Sequence, residues 1–188
     1  MSKQLQKAFP ALYPVPLVMV TCVDEQGKSN IVTLAWVGTV ASKPPQAAVA
    51  IRPSRYSHAI ISRTGEFAIN IPNEDLLPAV DRCGHVSGAR TDKFAQTGLT
   101  PEPASQIQAP LIAECPVNLE CKLTQTIPLG SHDLFIGEIV AVHVDEELLA
   151  EHGPIDYSKT QPVAYVGNEY WSLGECLKTS GFTLKESS

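Results

Sequence analysis

Val15-Pro16-Leu17-Val18-Met19-Val20-Thr21-Cys22-Val23-Asp24 and Asn30-Ile31-Val32-Thr33-Leu34-Ala35-Trp36-Val37-Gly38-Thr39-Val40-Ala41 are two runs dominated by β-branched and apolar residues. Between them stands Asp24-Glu25-Gln26-Gly27-Lys28, which supplies turn chemistry with a glycine. Side chains branched at Cβ suit the pleated surface of a strand, and a glycine accepts the positive φ of a tight turn at no steric cost. The pair predicts a β-hairpin. The same Gly27-Lys28-Ser29 imitates the end of a nucleotide P-loop, but Cys22 stands where that loop needs its first glycine. The hairpin explains Gly27 without a ligand.

Working outward, Gln46 to Ile51 is a third apolar run, and Pro53-Ser54 opens a segment with Tyr56, Ile60 and Ile61 at helical spacing, stopped by Gly65. Ser54 is the expected N-cap. Phe67, Ile69 and Ile71 alternate in the next strand, which Pro72 ends because proline cannot donate to a ladder. Glu74 to Gly98 reads as two short helices around Gly84 and Gly88. Pro116 to Ile127 and Asp133 to Asp145 predict a second, longer hairpin, with Val117, Leu119, Cys121 and Leu123 on one buried face. Two shorter strands, Pro162 to Val166 and Glu169 to Leu173, flank Gly167-Asn168, and Gly181 to Ser188 is expected to fray.

Six or more antiparallel strands with few helices predict a mainly β chain, a closed or partly closed barrel that hides its sheet edges. At 188 residues, with 44% hydrophobic and 18% charged residues, one domain over residues 1–188 is expected. No internal repeat or low-complexity tract divides it. The net charge of −6 argues against nucleic acid as a partner, since phosphate-backbone binding needs a clustered basic face. No apolar run approaches the roughly 18 to 20 residues of a membrane helix, because Leu17–Val23 ends at Asp24 and Phe135–Val144 is broken by Glu138. The polar start, Met1 to Lys7, lacks the pattern of a signal peptide, so a cytoplasmic location is expected. The five cysteines form no C-x-x-C pair, which fits small buried thiols better than disulfides or a zinc site. No metal is expected.

Chemistry concentrates in two basic segments. In Arg52-Pro53-Ser54-Arg55-Tyr56-Ser57-His58, two arginines and two serines precede or open a helix. Helix N-terminal amides and guanidinium forks both suit phosphate oxygens; an N-capped surface helix with solvated arginines fits the same residues. Ser87-Gly88-Ala89-Arg90-Thr91-Asp92-Lys93-Phe94 is the second. Lys93 could reach a phosphate while Thr91 or Asp92 caps the next helix, or the whole is an exposed capping segment. His132, in Gly130-Ser131-His132-Asp133, either titrates near neutrality or satisfies the turn backbone. Gly84-His85-Val86-Ser87-Gly88 misplaces the serine of a hydrolase elbow, and no G-x-G-x-x-G fingerprint of a dinucleotide fold is present.

In order along the chain, Tyr13 to Val18, Asn30 to Trp36, Lys43-Pro44-Pro45, Gly65 to Pro72, Ser87-Gly88, Asp92-Lys93-Phe94, Gly130 to Val140 and Tyr170 to Gly174 resemble the flavin reductase-like, FMN-binding split-barrel family. The likeness is to its flavoredoxin-type branch in particular and covers about residues 13–181. It implies a Greek-key split β-barrel used as a homodimer, with FMN between barrel and partner subunit. By position, Thr33, Leu34, Ala35 and Trp36 would line the isoalloxazine, and Arg52, Ser57 and Lys93 would hold the phosphate, joined by Ser54, Arg55 and Ser87 of the same two segments. Many relatives have a threonine near the phosphate helix where this chain has Tyr56-Ser57; Ser57 keeps a hydroxyl. His132 would lie near the flavin or nicotinamide as a catalytic proton donor or substrate contact. The resemblance implies an oxidoreductase that takes electrons from NAD(P)H or a redox protein. An electron-transfer flavoprotein and a barrel holding haem or a pyridoxal-type phosphate are the alternatives.

Overall fold

The computed structural model describes residues 2–149 and 155–184. The strands are β1 (Val15–Pro16), β2 (Val18–Val23), β3 (Ser29–Leu34), β4 (Val37–Ser42) and β5 (Pro45–Ile51), followed by helix α1 (Tyr56–Thr64) and β6 (Glu66–Ile71). Helices α2 (Leu77–His85) and α3 (Lys93–Thr97) come next, then β7 (Pro101–Glu102), β8 (Leu111–Ile112), β9 (Val117–Pro128), β10 (Asp133–Val144), β11 (Val163–Val166) and β12 (Glu169–Ser172).

The expected first hairpin forms between β2 and β3, with Val20 opposite Val32. Its turn is made by Asp24, whose Oδ1 accepts from the amides of Gln26 and Lys28 at 2.9 Å, and by Gly27 at φ 81°. The second run, read as one strand from Asn30 to Ala41, divides at Ala35-Trp36 into β3 and β4. That division shapes the molecule. Seven antiparallel strands pair in the order β3-β2-β6-β9-β10-β5-β4, so the two outermost strands are consecutive in the chain and joined by two residues. The sheet must curl to bring them together, and among the described residues no ladder pairs them: the barrel is split along this seam.

Alternate side chains of β2 serve two cores. Val18, Val20 and Cys22 point into the barrel with Val49, Ile51, Phe67 and Phe135, closed at one end by Ile60 and Ile61 of α1. Leu17 and Met19 face outward and pack with Ile31, Val80, Cys83, Phe94 and Val163 under α2, α3 and β11. Gly137 of β10 is required by the inner packing, since a Cβ there would stand 2.7 Å from Phe67 Cζ.

Several local expectations are corrected. Ser54 is not the N-cap: Arg55 N donates to Arg52 O in a tight turn, so the helix starts one residue later, on an extended Arg55 with no side-chain cap. Gly84 lies inside α2, not between helices. Of Thr91 and Asp92, it is Asp92 that caps α3, accepting from Ala95 N at 3.1 Å. β9 buries both faces over its first half, with Asn118 and Glu120 buried like Val117 and Cys121, because Ile107, Ala109 and Leu111 cover the outer side. Cys22, Cys83, Cys115 and Cys121 are buried thiols, whereas Cys176 is exposed. Phe182–Leu184 forms a 3₁₀ turn in the tail, and residues 185–188 of the expected frayed end lie outside the described residues. No helix among the described residues is long and apolar enough to cross a membrane.

Candidate functional site

Two adjoining cavities open where the seam of the barrel meets α1 and α2. The smaller, about 130 Å³, is walled by Asn30, Ser57, Cys83, Ser87, Gly88 and Lys93, with Ser54 and Arg55 at its edge. Its floor is built of buried polar groups. Asn30 is the second residue of β3, and its Nδ2 donates to Ser57 Oγ at 2.6 Å. Gly88 sits against this amide so closely that a Cβ would fall 1.8 Å from Asn30 Oδ1; only glycine leaves the floor intact. Lys93, 4% exposed, donates from Nζ to the carbonyls of Ile31 at 2.6 Å and Cys83 at 2.7 Å.

An ammonium carries three donors, so Lys93 retains one beyond those two carbonyls. Burial pushes its pKa down, opposed in part by the Cys83 thiol and reinforced by Arg55. Among the described residues Lys93, Arg55 and Arg52 form no salt bridge. Burial raises the pKa of Cys83, so this thiol stays neutral and is no nucleophile. A buried cation without a counter-ion, beside two serine hydroxyls and the start of a helix, is arranged to take an anion.

The larger cavity, about 380 Å³, shares Arg55 and Gly84 with the smaller one. One wall is the β3–β4 junction, Thr33, Leu34, Ala35 and Trp36; the facing rim is Tyr13, Tyr165, Gly167, Asn168 and Tyr170, from the β11–β12 hairpin and the segment before β1. Thr33 is locked by its Oγ1 donating to Val80 O at 2.6 Å. Tyr170 is tethered through its hydroxyl to Asp81 Oδ1 at 2.7 Å. His132 lies with its ring 4.6 Å from that of Trp36, tilted by 40°, and its Nδ1 is 3.0 Å from Ser131 Oγ. Burial first, and then the Arg52 guanidinium, lower the His132 pKa, so the imidazole is neutral at pH 7. A slot lined by flat rings with a few placed polar groups suits a planar aromatic ligand.

Every residue singled out from the sequence lines one of these cavities. Thr33, Leu34, Ala35, Trp36, Arg52 and His132 meet in the larger; Ser54, Ser57, Ser87 and Lys93 meet in the smaller; Arg55 borders both. One grouping differs from the expectation, for Arg52 lines the cavity that holds His132 and not the one that holds Lys93. Sequence reasoning missed Asn30, Gly84, Tyr13, Tyr165 and Tyr170. Asn30 carried a usable signal, a lone amide opening a β-branched run; the tyrosines reach the site only through tertiary folding. Neither lining contains a carboxylate, although the chain has 20 acidic against 14 Lys and Arg residues.

A family model described as flavin reductase like domain matches residues 11–174. Flavoredoxin of Desulfovibrio vulgaris (Miyazaki F) is 37% identical with a TM-score of 0.91, over 96% of this chain and 98% of that one. Flavoredoxin from Methanosarcina acetivorans is 28% identical with a TM-score of 0.88, over 98% and 99%. An NADH:riboflavin 5'-phosphate oxidoreductase of Streptomyces pristinaespiralis is 28% identical over 131 residues, 70% of this chain and 72% of its own.

Proposed function

The chain belongs to the flavin reductase-like domain family, and from that premise we propose that it is an FMN-binding oxidoreductase passing electrons from a nicotinamide or redox-protein donor to an acceptor. The observation that carries the reading is the junction of the two cavities: an aromatic slot leads into an acid-free cradle with its own buried lysine. FMN has the matching shape, a planar ring system at one end and a phosphate dianion at the other. When bound, FMN supplies a ring that accepts a hydride and releases electrons in one or two steps.

The residues of this chain do the rest. Lys93, Arg55, Ser57 and Ser87 bind the phosphate, which restores a full set of partners to the Lys93 ammonium. Thr33 to Trp36 hold one edge of the ring, with strand amides available to its pyrimidine side. Tyr165 and Tyr170 exclude water from the other edge. His132, neutral and stacked on Trp36, contacts the second reactant. Orientation, not a covalent nucleophile, is the contribution of the protein.

A second reading, an electron-transfer flavoprotein slow with NADH and NADPH and fast with a protein partner, draws on the similarity to the two flavoredoxins. We infer a homodimer, as the family resemblance implies, with exposed apolar side chains such as Phe9, Leu12, Trp171, Leu173 and Leu177 available to be covered by a second copy. We also infer one domain and a cytoplasmic site of action. The test is the visible absorbance of the purified protein before and after anaerobic NADH or NADPH. Rapid bleaching of a flavin spectrum supports the reductase, and a persistent spectrum supports the carrier. A protein that neither contains FMN nor takes it up sinks both.

A further inference from the structure

The two cavities have two lining residues in common, Arg55 and Gly84, so the passage between them runs past these two. Arg55 is long and exposed and can swing aside. Gly84 cannot: it lies in the last turn of α2 and, having no side chain, borders both cavities with its backbone alone. Glycine weakens a helix relative to alanine, and neither usual reason for it applies here. The residue is helical and needs no positive φ. A Cβ would stand 3.4 Å from Thr33 Cβ and 3.8 Å from Thr33 Oγ1, a contact that ordinary packing accepts, unlike the 1.8 Å overlap at Gly88. Thr33 is held in place by its bond to Val80 O at 2.6 Å, so a side chain larger than a methyl would have to grow into the passage.

The same turn carries free acceptors. Arg82 O takes Val86 N at 3.1 Å and Cys83 O takes Lys93 Nζ at 2.7 Å. The carbonyls of Gly84 and His85, beyond the helix ladder, accept no hydrogen bond from any described residue. This end of a helix suits donors and not anions, so it complements hydroxyl groups and leaves the phosphate to Lys93 and Arg55.

We propose that the backbone at Gly84 is a linker subsite: it keeps the passage open for the hydroxylated chain that joins ring to phosphate, and selects that chain by accepting from its hydroxyls. The proposal rests on the FMN reading and adds to it a specificity that neither cavity supplies. A ligand in which a bare alkyl chain joins the same ring to the same phosphate would fill both cavities and still leave the carbonyls unpaired.

The experiment is fluorescence titration of the flavin-free protein with FMN, with an analogue carrying a pentyl phosphate chain of equal length and no hydroxyls, with riboflavin, and with lumiflavin, which has the ring and no chain. Wild type should bind FMN about tenfold more tightly than the pentyl analogue, the scale of one net hydrogen bond. Gly84→Val should weaken riboflavin and FMN about tenfold or more and leave lumiflavin within about twofold. The proposal is overturned if FMN and the pentyl analogue bind wild type alike, or if Gly84→Val leaves riboflavin and FMN undiminished. It is equally overturned if lumiflavin is weakened as much as riboflavin, since Gly84 would then serve only the packing of α2 on β3. Should Gly84→Val fail to fold, Gly84→Ala, whose methyl fits against Thr33, must show the same order of losses at smaller size. A wild type that takes up no flavin removes the FMN reading itself, whereas one that binds FMN and the pentyl analogue equally removes only the linker subsite.

Discussion

Two charged side chains are buried in the described part of this molecule, Lys93 at 4% and Glu120 at 0% exposure, and they are treated in opposite ways. Glu120 is saturated. Its oxygens accept from Ser105 N at 2.8 Å, Ser105 Oγ at 2.7 Å and Gln106 N at 2.6 Å, with His143 Nε2 completing the shell. Burial alone would raise its pKa, yet these donors outweigh it and hold the carboxyl down at about 2. Lys93 has two carbonyl acceptors and no anion, and burial wins, lowering its pKa. A buried charge whose partners are all supplied by the chain is a fastening, here of segment 105–106 to β9. A buried charge left short of partners beside a cavity is a place kept for a ligand.

The sharpest way to break this contrast is Lys93→Met. Losing a charge-assisted bond to phosphate costs about 3 kcal/mol, roughly a hundredfold in FMN affinity, while riboflavin, which has no phosphate, should lose far less. Fluorescence titration with both flavins decides it, and equal losses would mean that Lys93 supports the fold and not the anion. Next in size is Gly88→Ala. The new Cβ forces Asn30 away from Ser57, so the Ser57 hydroxyl is no longer held for the phosphate; losing one hydrogen bond to a charged group costs about 2 kcal/mol, a roughly thirtyfold weaker FMN complex. Undiminished affinity would show that the Asn30–Ser57 floor is not part of the cradle.

Glu120→Gln tests the other half of the contrast. It should lower stability by about 2 kcal/mol, since an amide cannot replace a carboxylate surrounded by donors, while FMN affinity stays within about twofold. The pH dependence has a definite sign. A carboxyl depressed in the folded state contributes stability that is complete above its ordinary value of 4.5 and is lost as pH falls from there towards about 2. Denaturant midpoints measured across that window should therefore fall in the wild type and flatten in Glu120→Gln. A parallel acid limb in both proteins would assign acid sensitivity to other groups.

The contrast also explains what could be read from the sequence. The first hairpin was legible because its turn is local: Asp24, Gly27 and the flanking valines act within a few residues of one another. The break at Ala35-Trp36 was not, since apolar character runs straight through it and only closure of the sheet imposes it. Basic residues near helix starts marked the site, and their division between two cavities did not show, because Arg52 and Lys93 meet their neighbours through tertiary packing. Glu120 looked like the outward phase of an alternating strand. Its burial depends on residues 105–112 folding over β9, a long-range event that period-two patterning cannot register. Lys93 stands between a capping aspartate and a core phenylalanine, where pattern alone allows either exposure or burial.

The smallest expected effect lies where no charge is at stake. Trp36 is 41% exposed and meets His132 only through a tilted ring contact. Removing it by Trp36→Ala should cost about 1 kcal/mol, the scale of one aromatic pair, a roughly fivefold weaker complex. FMN and riboflavin should be weakened alike, because Trp36 borders the ring slot and not the phosphate cradle. That equality is the informative part: Lys93→Met separates the two flavins and Trp36→Ala must not. If Trp36→Ala also discriminated against FMN, the cavities would act as one undivided site, and the division between a prefixed anion cradle and a yielding aromatic slot would have to be abandoned.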